Sequence, residues 1–79
     1  MINLSILTPH GSREASVQAV FLPGSSGSFE VLPKHAPIIS TLQEGEIVWR
    51  DAQGKEERLK VKGGVMRCQE DKMHICAEL

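Results

Sequence analysis

The chain is written in short runs of alternating apolar and polar residues, each cut off before it could complete three helical turns. Ile2, Leu4 and Ile6 alternate with Asn3 and Ser5, the period of two that turns one face of an extended strand toward a core. Between Arg13 and Leu22, the residues Ala15, Val17, Ala19 and Phe21 alternate with Glu14, Ser16, Gln18 and Val20. A helix starting at Ser12 is compatible with the Ala, Glu and Gln content. The alternation is stricter than any i, i+3, i+4 stripe, however, and favours one strand. Phe29 to Leu32 reads as a short strand, and Ile38 to Leu42 as an extended crossing segment. Glu46 to Arg50 carries Ile47, Val48 and Trp49, all strong strand formers. Asp51-Ala52-Gln53-Gly54 predicts a four-residue hairpin loop, after which Lys55 to Val61 returns with Leu59 and Val61 facing in. Beyond a break at Gly63-Gly64, Val65 to Gln69 and Lys72 to Ala77 form a second hairpin across Glu70-Asp71.

With no helical stripe and a turn signal every several residues, the pattern predicts an all-β fold. The expected form is a small flattened sandwich or barrel of about eight to ten short strands. Its 79 residues are expected to make a single domain, residues 1–79, burying roughly 60–65% of its unfolded surface. Ile47, Trp49, Leu59 and Val61 are apolar enough for a core or an interface, with the core as the default.

Charge and composition narrow the function classes. Nine basic residues against ten acidic ones, a net charge of −1, leave no basic footprint for nucleic acid. One Trp, two Phe and no Tyr supply no stacking platform for bases. Lys55-Glu56-Glu57-Arg58 mixes signs and reads as a solvated strand face. The alternating start, Met1 to Thr8, does not resemble a secretory signal, and no run approaches the roughly 20 apolar residues that span a bilayer. These features predict an intracellular, soluble chain that reaches a membrane only as part of a complex.

The densest punctuation falls between Leu22 and Pro37, LPGSSGSFEVLPKHAP, with three prolines, two glycines and three serines around Phe29-Glu30-Val31-Leu32. It reads as a loop, a short strand and a second loop held in one shape, a common setting for binding surfaces. Three chemical readings of this and the later segment are weak. Gly24-Ser25-Ser26-Gly27-Ser28 resembles an anion cradle, but no Lys and no helix start follow it. Ser25, Ser26 or Ser28 with His35 and Glu30 sketches a nucleophilic site, yet the G-x-S-x-G elbow is absent. Cys68 and Cys76 flank the Glu70-Asp71 turn, where they could face each other, but intracellular thiols stay reduced. They lack zinc-type spacing even with His74. No catalytic residue, metal or cofactor is expected.

The order of the pieces, SVQAVFLPGSSGSFEVLPKHAPIISTLQEG, then a hairpin, then VKGGVMRCQEDKMHICAE, resembles one family. It is similar to the β-sandwich domain of the epsilon subunit of rotary F-type ATP synthase, the delta subunit of the mitochondrial enzyme. Leu22-Pro23-Gly24, Gly27, Phe29, Val31, Leu32-Pro33, His35-Ala36-Pro37, Leu42, Gly45 and Gly63-Gly64 carry the resemblance. It implies a non-catalytic rotor subunit at the foot of the central stalk. There it would be bound to the gamma subunit and rest on the c-ring, and it would couple ring rotation to ATP synthesis or hydrolysis in the head. In a bacterium this is the cytoplasmic face of the inner membrane, with peripheral attachment, proton translocation by the complex and no direct insertion.

Carried over residue by residue, the resemblance places Ser26, Gly27, Ser28, Phe29 and Glu30 toward the c-ring. It places His35, Ala36 and Ser40 at the gamma subunit, with a local role for His35 in pinning the Pro33–Pro37 loop as the alternative. Ser28 stands where many relatives are acidic, and Glu30 and Lys34 where they usually have Gly. Bacterial relatives usually continue into a C-terminal helical hairpin that binds ATP. The 79 residues end after the last strand, so no ATP binding is expected of them. The rival readings are an independent β-sandwich protein-binding module and a small hydrolase using His35 with a loop serine.

Overall fold

A computed structural model describes all residues from Met1 to Leu79. Nine strands follow in order and there is no helix: β1 (Ile2–Thr8), β2 (Gly11–Val17), β3 (Ala19–Gly24), β4 (Gly27–Val31), β5 (Ile38–Leu42), β6 (Gly45–Arg50), β7 (Glu56–Val61), β8 (Gly63–Gln69) and β9 (Lys72–Glu78). They form one continuous sheet in the order β2-β1-β9-β8-β5-β3-β6-β7, with β4 paired to β3 off that path. The sheet curls so that its two halves cover one core. The alternation expected of an all-β fold is visible in β1 and β9, where Ile2, Leu4 and Ile6 and then Met73, Ile75 and Ala77 are buried and their neighbours are not. A cluster of 16 buried residues, drawn from every strand, joins the halves. β1 and β9, the one parallel pair, set the first and last strands side by side within the sheet, with Asn3 opposite Lys72 and Leu7 opposite Cys76.

The predicted core residues Ile47, Trp49 and Val61 are buried, and Leu59 packs against them half-buried. The Lys55–Arg58 run lies exposed, mostly along β7. One of its carboxylates has an inward use, because Glu57 accepts a hydrogen bond from the Trp49 indole N–H at 3.2 Å. Arg13 lies over the same ring, 5.1 Å from its centroid, and its guanidinium is 3.8 Å from Glu57.

Five expectations change. The single strand from Arg13 to Leu22 is two, split at Gln18, whose N–H turns to Arg50 O at 2.8 Å. The chain leaves β1 for β6 there, and the extra residue reverses which side faces the core. Val20 and Leu22 are therefore buried and Phe21 is left half-buried, with Arg50 stacked 5.5 Å from its ring centroid. The crossing segment Ile38–Leu42 is a full strand, paired along β8 and touching β3 at Gly24↔Leu42.

The β6–β7 loop runs from Asp51 to Lys55, one residue longer than expected. The Asp51 carboxylate takes the N–H groups of Gln53 and Lys55, each at 2.9 Å, and so draws Lys55 out of the ladder. The break after β7 falls at Lys62, while Gly63 and Gly64 open β8. Gly64, at φ 155, passes so close to the Cys76 carbonyl that a Cβ would overlap it. Finally, Cys68 and Cys76 do not face each other. Cys68 pairs with Met73 and Cys76 with Val65, so strand parity sends the Cys68 thiol into the core and leaves Cys76 exposed on the outer face.

Candidate functional site

The punctuated stretch resolves into two parts. Leu22 to Val31 is no loop. β3 and β4 pair continuously from Val20↔Val31 to Gly24↔Gly27, with Ser25 and Ser26 as a two-residue turn. The pairing is this tight because Gly24 has no side chain: a Cβ there would lie 2.6 Å from Gly27 O and 2.7 Å from the Phe29 ring. Gly27 holds φ 133, a region side chains avoid. The turn is pinned to β5 twice, by Ser25 N–H to Thr41 O at 3.0 Å and by Thr41 Oγ1–H to Ser25 Oγ at 2.9 Å. On the other side, Gln43 N–H donates to Pro23 O at 2.8 Å, and Pro23 packs over Gly45, where a Cβ would come within 2.8 Å of the proline ring.

This arrangement answers two of the chemical readings. The Ser25 N–H that an anion cradle would need is already spent on Thr41. The serines sit at the turn beside the C-terminal end of β5, whereas His35 precedes its N-terminal end, about 16 Å of strand away. His35 Nδ1 is engaged with Ala36 O at 2.7 Å. The nucleophile and base of a hydrolase are not brought together.

The five residues assigned to the c-ring by resemblance lie along the hairpin. Ser26 is in the turn, and Gly27, Ser28, Phe29 and Glu30 are in β4, with all but Phe29 exposed. Phe29 packs inward against the core. Beside them runs an open groove of about 450 Å³, lined among others by Phe21, Phe29, Glu30, Glu44 and Glu46. Of its three carboxylates Glu46 is ion-paired with Arg58 at 3.4 Å, and Arg50 lies over the Phe21 ring, so Glu30, Glu44 and Phe29 are the groups the groove leaves open.

The second part, Leu32 to Pro37, is an exposed arm between β4 and β5. His35 and Ala36 stand out on it. Ser40 does not join them. It lies in β5, half-buried on the side shared with Ile38 and Leu42, and its hydroxyl donates to Thr41 O at 3.0 Å. Asp71 is a residue that sequence reasoning passed over: its carboxylate accepts the Lys34 N–H at 2.5 Å across 37 positions of chain. The turn signal at Glu70-Asp71 was legible, but nothing local reveals where an Asp side chain will reach. Burial, and secondarily the Asp71 charge, push the Cys68 thiol above its ordinary value of 9.0.

The fold and these surfaces define a small all-β sandwich that presents a stiff hairpin at one end of β5 and an arm at the other. Comparison with known proteins gives the family. The model of the ATP synthase delta/epsilon chain beta-sandwich domain matches residues 1–79, and the chain belongs to that family. Relatives include the ATP synthase epsilon chain of Sulfurovum sp. (strain NBC37-1), 41% identical over 73 residues, which are 91% of this chain and 57% of that one. The epsilon chain of Moorella thermoacetica is 38% identical over 78 residues, 98% of this chain and 58% of that one. The chain thus spans less than two thirds of the length of these relatives.

Among solved structures, a chain of the Euglena gracilis mitochondrial ATP synthase OSCP/F1/c-ring assembly superposes with a TM-score of 0.90 at 19% identity, covering 96% of this chain and 49% of that one. A chain of the Tetrahymena thermophila mitochondrial ATP synthase central stalk/c-ring gives 0.82 at 13% identity, covering 99% and 63%. At such identities these two likenesses speak for the fold.

Proposed function

We propose that these residues act as one non-catalytic unit, the β-sandwich part of an ATP synthase epsilon subunit. In this reading it sits peripherally on the cytoplasmic face of a bacterial inner membrane and passes c-ring rotation to the gamma subunit. The observation that carries the reading is the whole-length family match, and the geometry supports it. A coupling element needs two separated contact surfaces on one stiff body. Here the hairpin turn is hydrogen-bonded to the end of β5 and the arm feeds directly into its start. The groove beside β4 would receive the c-ring, and Ser26, Gly27, Ser28 and Glu30 are exposed next to it. His35 and Ala36, exposed on the arm, are the contacts offered to gamma. Ser40 lies further along, in β5, and would reach gamma only at the edge of that contact.

The test is capture. Affinity-tagged chain mixed with detergent-extracted membranes of the source organism is expected to retain gamma and c subunits, identified by mass spectrometry. Recovery of neither would refute the rotor assignment. Charge reversal by Glu30→Lys is expected to weaken retention of c while leaving gamma bound.

A further inference from the structure

The Leu32–Pro37 arm takes part in no backbone–backbone hydrogen bond outside the strand ladders. Within it, His35 bonds only to its neighbour Ala36. One hydrogen bond joins the arm to the body, from Lys34 N–H to the Asp71 carboxylate. Lys34 also sits at φ 66, a left-handed conformation that a lysine rarely holds unless its surroundings impose it. Asp71 is well placed to impose it. It closes the β8–β9 hairpin with Glu70 at φ 52 and itself at φ 59, the two left-handed positions of a type I′ turn. Its own carbonyl accepts the Asn3 N–H at 2.8 Å, so it is fastened to the first strand. It is half-buried between exposed Glu70 and Lys72.

We infer that Asp71 is a positioning residue for the gamma contact: its carboxylate holds Lys34 in the left-handed region and thereby sets the direction in which His35-Ala36-Pro37 leaves the body. The inference rests on the assignment of the arm to gamma made above. It adds that the arm's shape is preset from a turn 37 positions further along the chain, and that gamma meets an ordered arm.

The turn supplies a clean way to separate tether from fold. At φ 59 glycine is at least as comfortable as aspartate, so Asp71→Gly removes the carboxylate and keeps the hairpin. Asp71→Asn keeps an acceptor oxygen without the charge. The experiment follows the Lys34 amide by nuclear magnetic resonance, the melting temperature, and the affinity of the chain for purified gamma subunit.

Asp71→Gly is expected to speed Lys34 amide exchange about tenfold, as loss of a charge-assisted bond implies, and to lower the melting temperature by no more than that one bond is worth, under about 10 °C for a domain of this size. It should also raise the dissociation constant for gamma roughly three- to tenfold, because the arm must then be ordered on binding. Asp71→Asn should fall between it and the parent. Unchanged Lys34 exchange overturns the tether. Faster exchange with gamma affinity within about twofold overturns the preordering. A drop in melting temperature well beyond about 10 °C makes Asp71 a residue of the fold and overturns its separate role. If the parent chain itself does not bind gamma, the rotor assignment and the docking half of the inference both fall, while Lys34 exchange still decides whether Asp71 holds the arm.

Discussion

The β3–β4 hairpin and the Leu32–Pro37 arm are neighbours in sequence, punctuated by the same residue types, yet they are held by different physics. The hairpin is rigid by pairing: five cross-strand partners, a turn bonded twice to β5, and glycine at the one point where the strands crowd Phe29. Its stiffness is shared among many contacts with the core. The arm has no ladder and no buried side chain. It is shaped by two prolines and one carboxylate reaching from another turn. Sequence punctuation therefore marks where the chain is constrained without telling how many interactions supply the constraint.

The sharpest way to break the contrast is a matched pair of leucines. Leu22 in the hairpin is 1% exposed and Leu32 at the start of the arm 51%. Leu22→Ala should cost about 3 kcal/mol in urea unfolding, as large-to-small changes in a packed core do. Leu32→Ala should stay within about 0.5 kcal/mol. Equal losses would mean that the arm packs as the hairpin does.

Glycine offers the next test, with opposite signs in the two regions. Gly24→Ala drives a Cβ into Gly27 O and the Phe29 ring and should cost about 2 kcal/mol. Lys34→Gly relieves a left-handed lysine and should gain about 0.5 kcal/mol, read as a higher midpoint in the same titration. Ser25→Ala deletes the side-chain bond from Thr41 but keeps the Ser25 N–H to Thr41 O. It should cost about 0.5 kcal/mol, the low end for an exposed hydrogen bond.

The smallest effect reads the arm's anchor through Cys68, which pairs with Ile38 just beyond the arm. Its thiol is raised above 9.0 first by burial and then by the Asp71 charge. A thiol with a raised value in the folded state contributes stability that is whole below its unfolded value, near 9.0. That contribution is lost as the pH climbs through the folded value, because the unfolded chain gives up its proton first. Asp71→Asn removes the second cause and should lower the Cys68 titration while leaving it above 9.0. Thiolate absorbance in a Cys76→Ser background measures it, and an unmoved curve would show that the Asp71 charge does not reach the thiol.

Much of the fold was legible. Alternation in β1 and β9, β-branched and aromatic residues in β6 and the Glu70-Asp71 turn each depend on neighbours a few positions away, and local sterics decide them. Phe21 shows where that legibility ends. Its alternation with Ala15, Val17 and Ala19 is unbroken in sequence, yet it faces out, because the sheet crosses at Gln18 and shifts the parity by one. The two contact regions were legible as segments, but their attachments were not. Thr41 and Asp71 lie 16 and 37 positions from the residues they hold.

By itself, then, the sequence determined that this protein is a set of short strands with a heavily turned segment between Leu22 and Pro37, since strand and turn follow from side-chain period and backbone freedom at single residues. Only the tertiary structure decided which strands became neighbours. It made half of that segment a hairpin, put Cys68 and Cys76 on opposite faces, and fastened Lys34 to Asp71. Those outcomes depend on bringing distant stretches together, where the gain comes from a shared core and from hydrogen bonds that no local pattern encodes.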